Sequence, residues 1–97
     1  MITNGFTCET SDLVTVGTAF SDPNSSISVI SSYISIPTTG TEGGIVYVNR
    51  AGQTCYWPYA FIGYNPISAV KILASATINS VLRTTTATPM YWHAAFQ

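Results

Sequence analysis

No stretch of residues 1 to 90 carries an amphipathic 3.6-residue period of useful length, while Val, Ile and Thr are spread along the whole chain. β-Branched side chains suit a pleated strand better than a helix, so the chain is expected to be all-β. Strand-like runs recur between turn signals. Residues 13 to 20 form the first, closed by Ser21, Asp22, Pro23 and Asn24. Residues 27 to 36 alternate, with a change of phase near Ile30 that predicts a bulge or a strand covered on both faces. After Pro37, residues 38 to 44 read as a polar, flexible loop, with Gly43 and Gly44 at a hairpin tip.

The middle of the chain is the clearest part. Residues 45 to 49 and 53 to 57 flank Arg50, Ala51 and Gly52, which predicts a β-hairpin with a turn of three to four residues. Pro58 cannot donate to a ladder, so it ends that strand or places it at a sheet edge. Residues 59 to 65 read as an aromatic loop, with Asn65 held extended by Pro66. Two further strands are expected at 67 to 74 and 78 to 85, joined around Ser75, Ala76 and Thr77, and a last one at 90 to 97. Six to seven short strands describe a small antiparallel β-sandwich or barrel. No linker divides the chain, so residues 1 to 97 read as a single β domain, with candidate docking arms at 1 to 10 and 89 to 97.

Charge narrows the partners. Charged residues make up 7% of the chain and the formal net charge is -1. Arg50, Lys71 and Arg83 are too few and too scattered for the basic stripe that grips nucleic acid, or for a polybasic membrane patch. Hydrophobic residues reach 46%, which indicates a folded chain. No apolar run approaches the roughly 18 to 20 residues of a membrane span, and the first residues lack the basic and apolar regions of a secretory signal. Cys8 and Cys55 read as small buried hydrophobes. With one histidine and no C-x-x-C spacing, neither a metal nor another cofactor is expected.

Catalytic signals are sparse. His93 is the one histidine, and no serine sits in a Gly-x-Ser-x-Gly elbow. Glu9, Asp12 and Asp22 fall in turn-like polar segments that read as solvated surface. Gly40, Gly43 and Gly44 precede neither a lysine nor a helix, so they make no phosphate loop. The expectation is a protein without enzymatic activity.

Aromatics are the most unusual feature. Tyr56, Trp57, Tyr59, Phe61 and Tyr64 fall within nine residues, and Tyr91, Trp92 and Phe96 crowd the end. Such clusters build a core, stack sugars or bases, or anchor a protein interface. Tyr56 and Trp57 read as core. Tyr59, Phe61, Tyr64, Tyr91, Trp92 and Phe96 are the candidate interface residues. A surface with so few charges has weak protection against association, which favours coverage by neighbours, copies of the same chain included.

The residues from Gly43 to Thr54 (Gly-Gly-Ile-Val-Tyr-Val-Asn-Arg-Ala-Gly-Gln-Thr) resemble a pattern in small virion proteins of tailed bacteriophages. There a valine-rich strand passes through a Gly turn into a Gln-Thr strand. An aromatic loop, a Pro-Ile strand and a Thr-rich end follow. Here those stretches correspond to 61 to 67, 70 to 74 and 84 to 88, so the resemblance spans roughly residues 43 to 88. It implies a non-enzymatic structural protein of the particle, of the capsid cement or decoration type. The implied partners are the major capsid protein and neighbouring copies, and the implied location is the virion. Two other roles stay open: a head–tail connector or tail or fibre component, and a small carbohydrate-binding module stacking ligand on Trp57, Tyr59 and Tyr64.

Overall fold

The computed structural model describes residues 10 to 20 and 32 to 94. These residues form an all-β fold without a helix. In chain order the strands are β1 (Thr10–Leu13), β2 (Ser32–Ile36), β3 (Gly43–Val48), β4 (Thr54–Ala60), β5 (Gly63–Ala69), β6 (Lys71–Leu73), β7 (Ser75–Ile78), β8 (Val81–Thr84) and β9 (Tyr91–Ala94). The described residues thus contain nine strands rather than six or seven, because the run from 67 to 74 is broken in two and a further strand, β7, takes the place of the turn expected at 75 to 77. Every pairing is antiparallel. One sheet has the order β1-β9-β2-β5, a second β4-β3-β6, and β7 and β8 make a separate hairpin. None of the sheets closes into a barrel among the described residues.

The two larger sheets share one core. In β2 the burial alternates, with Ser32, Ile34 and Ile36 inward. Ile67 and Ala69 of β5 and Trp92 and Ala94 of β9 join them, and meet Ile45, Ala60 and Ile72 of the three-stranded sheet. Each fully buried isoleucine contributes about 2 kcal/mol relative to an exposed one. Phe20 stacks on Trp92 at a centroid separation of 5.5 Å and closes one end of this core.

The hairpin between β3 and β4 forms as its sequence predicts. Asn49 Oδ1 accepts from the backbone N–H of Ala51 (3.0 Å) and of Gln53 (2.9 Å), and Gly52 takes a φ of 83° that favours glycine. Pro58 lies within β4, an edge strand of its sheet, where its missing N–H costs no ladder bond.

Elsewhere the chain departs from its local pattern. Residues 14 to 20 are not a strand. Their amides at 14, 17 and 20 donate to the carbonyls of Met90, Ile72 and Val70, a spacing of three where a ladder needs two, and Gly17 turns the chain at φ 88°. Gly43 and Gly44 belong to β3 rather than to a flexible tip, and Gly44 is buried. The expected aromatic loop at 59 to 65 is mostly strand, since β4 runs to Ala60 and β5 begins at Gly63. The run from 67 to 74 divides at Val70 into β5 and β6. The next turn falls at Asn79 and Ser80, not at 75 to 77. Both residues have positive φ (51° and 66°), the signature of a two-residue hairpin turn. The predicted phase change near Ile30 lies outside the described residues, although the β2–β5 register does slip between Ser32 and Ile34.

The expected docking arms fare differently. Residues 1 to 9 and 95 to 97 lie outside the described residues. Tyr91–Ala94 is no arm: it is an inner strand, paired with β1 on one side and β2 on the other, with Trp92 and Ala94 in the core. No helix long and apolar enough to cross a membrane occurs among the described residues.

Candidate functional site

Alternation decides what the four-stranded sheet shows to solvent. With Ile34 and Ile36 inward, Tyr33 and Ser35 face out; β5 turns out Tyr64, Pro66 and Ser68, and β9 turns out Tyr91 and His93. Strand register then sets these residues in rows across the sheet. Leu13, Tyr91, Ser35 and Tyr64 are successive lateral partners, as are Ser11, His93 and Tyr33.

His93 is the hub. Its Nε2 shares a hydrogen bond with Ser35 Oγ at 2.6 Å, a diagonal contact between β9 and β2. Its ring stacks on Tyr33 (5.8 Å, 24°) and meets Tyr64 nearly at right angles (5.2 Å, 79°). Tyr33 and Tyr64 also meet edge to face, at 5.6 Å. Burial among these rings lowers the His93 pKa from its ordinary 6.5, because it disfavours the imidazolium.

A serine hydroxyl on a neutral imidazole is the first half of a nucleophilic dyad. The surroundings do not complete it. Ser35 is paired with Tyr64 on one side and Tyr91 on the other, so the local backbone amides serve the ladders rather than an oxyanion hole. Among the described residues no group of three or more His, Cys, Asp or Glu side chains is placed to hold a metal ion.

The sequence-predicted interface residues divide. Tyr64 (64% exposed) and Tyr91 lie on this outer face. Tyr59 (75%) and Phe61 are exposed at the β4–β5 connection, beside the exposed Ile62. That tip is braced, since Glu42 Oε2 accepts the Ile62 N–H at 2.8 Å. Trp92 is not an interface residue, because β9 points it into the core, where it is 3% exposed. Phe96 lies outside the described residues. Of the pair read as core, Trp57 packs against the core while half-exposed, and Tyr56 lies under the Arg83 guanidinium, 5.0 Å from its ring centre. Cys55 is half-buried, and Cys8 lies outside the described residues.

Trp57, Tyr59 and Tyr64 do not make one stacking platform. Trp57 meets Tyr59 edge-on at 6.1 Å and donates its indole N–H to the inward-facing Asn65. Tyr64, the residue before Asn65 in β5, points the opposite way. Tyr33, Ser35 and His93 were not among the predicted site residues. The alternation of residues 32 to 36 marks Tyr33 and Ser35 as sharing a face, but the pairing that brings His93 to them is long-range. Comparison with known proteins finds no match, whether to a protein family, a curated protein or a solved structure.

Proposed function

We propose that this chain is a non-enzymatic structural protein of a bacteriophage particle, of the cement or decoration type, which adheres across contacts between major capsid proteins. The observation that carries the reading is the exposure of large aromatic side chains, Tyr59 and Tyr64 foremost, on a chain with only 7% charged residues. Aromatic anchors within a Ser- and Thr-rich, weakly charged surface suit a repetitive, partly wet protein lattice. Modest contacts become strong when they are repeated over a shell. The resemblance of residues 43 to 88 to small virion proteins points the same way.

The test is the amount of this chain in purified particles relative to their most abundant protein. An equal amount, or a simple fraction of it, is the expected result for a lattice component. A far smaller share would replace this role with that of a connector or tail component. Absence from particles would overturn the reading.

A further inference from the structure

We infer that the outer face of the four-stranded sheet binds a neutral carbohydrate, with Tyr64 and Tyr91 stacking on its rings and the Ser35 hydroxyl meeting a sugar hydroxyl between them. This inference does not rest on the particle role. Tyr64 and Tyr91 flank Ser35 as its lateral partners on β5 and β9. Two inter-strand spacings separate their backbones, about 10 Å. That span suits an oligosaccharide of more than one unit better than a single small ligand. The apolar C–H face of a pyranose packs on an aromatic ring, and Tyr64 offers such a ring already fixed. It is 64% exposed, yet its edge-to-face contacts with Tyr33 and His93 hold it in place. Little ordering entropy is then lost on binding.

Charge and polarity select the ligand class. The outward positions of β1, β9, β2 and β5 carry no Asp, Glu, Lys or Arg among the described residues. Asp12 has the phase of its partner Trp92, away from this face. A neutral ligand is therefore favoured over a phosphate or a sulfated glycan. Hydroxyls stand beside rings in both rows, Ser35 between Tyr91 and Tyr64 and Ser11 next to His93, and aliphatic area is confined to Leu13 at one margin and Pro66 at the other. A dry protein interface would strip water from these polar groups, whereas a polyhydroxylated ligand returns donors and acceptors to them.

The experiment titrates the full chain with maltohexaose, cellohexaose, mannohexaose and chitohexaose, following tyrosine and histidine ring resonances by NMR. At least one sugar is expected to shift Tyr64, Tyr91 and His93 together, with a dissociation constant of ~1 mM or tighter. Tyr64→Ala and Tyr91→Ala should each weaken that binding about tenfold, a loss of ~1.4 kcal/mol, with circular dichroism unchanged. Tyr64→Phe, which keeps the ring, and Tyr59→Ala, on the separate tip, should bind normally. No shift with any of the four sugars overturns the inference, as does binding that survives the Tyr64→Ala/Tyr91→Ala double variant. Particle occupancy of the double variant is measured in parallel. Lost occupancy without sugar binding would assign the face to a protein neighbour, overturning this inference and leaving the particle role intact.

Discussion

Asn65 Oδ1 accepts the indole N–H of Trp57 at 3.2 Å, joining a strand of the four-stranded sheet to one of the three-stranded sheet. The same oxygen accepts the Phe61 N–H at 3.0 Å, and Nδ2 donates to the carbonyls of Phe61 (3.0 Å) and Gly63 (3.3 Å). An amide that is 2% exposed thus organises the β4–β5 connection and braces the exposed tip from within. Asn65→Ala would strand these partners and should cost about 3 kcal/mol of stability, read by chemical denaturation. Asn65→Asp is expected to destabilise too, because a carboxylate oxygen would face two carbonyls.

Stability should fall on mild acidification through His93. Burial lowers its pKa below 6.5 in the fold, so between the two pKa values the unfolded chain binds more protons. The contribution is fully present above about pH 6.5 and is lost as pH falls toward the folded-state pKa. Denaturation midpoints measured from about pH 7.5 down to 5.5 should therefore decline, and His93→Gln should flatten the decline. An equal slope in that variant would remove His93 as the cause.

Gly44 is required for packing rather than for an unusual φ. A Cβ placed there would lie 2.7 Å from Tyr56 Cε1. Gly44→Ala must push the Tyr56 ring from beneath Arg83, at a cost of about 2 kcal/mol. If the clash is the cause, Gly44→Ala combined with Tyr56→Ala should cost less than the sum of the two single changes, as measured in a double-mutant cycle.

Ser35 should not behave as a hydrolytic nucleophile despite its short contact with His93. A fluorophosphonate probe is expected to leave Ser35 unlabelled, as judged by intact mass, since the surrounding amides are committed to ladders. Covalent labelling at Ser35 that disappears in His93→Gln would contradict the proposed non-enzymatic role.

Much of the fold was legible where structure is local. The Asn49–Gln53 turn follows from a polar residue and a glycine between two apolar runs, and the all-β class follows from β-branched residues without a helical period. Legibility failed where neighbours overrode the local pattern. Gly43 and Gly44 read as a flexible tip, yet they are residues of a strand paired with β4, and they are glycine because Tyr56 and Thr86 fill the space a side chain would need. Residues 14 to 20 read as a strand, yet their amides find acceptors at every third position. The Asn79-Ser80 turn carried a usable signal, an asparagine between Ile78 and Val81 that tolerates positive φ, and the regular run around it obscured it.

The candidate site shows the same division. Sequence alone determined the inventory: abundant tyrosines, hydroxyls in place of charge, and a lone histidine four residues from the end of the chain. It also determined, through alternation, that Tyr33 and Ser35 share a face. Tertiary structure decided the rest. Whether Tyr91 or Trp92 faces solvent depends on a register fixed by β1 and β2, and a one-residue slip would exchange them. The meeting of Ser35 with His93 joins residues 58 positions apart. Periodicity along a chain specifies which residues share a face of a strand, whereas the choice of neighbouring strands is set by burying the common core.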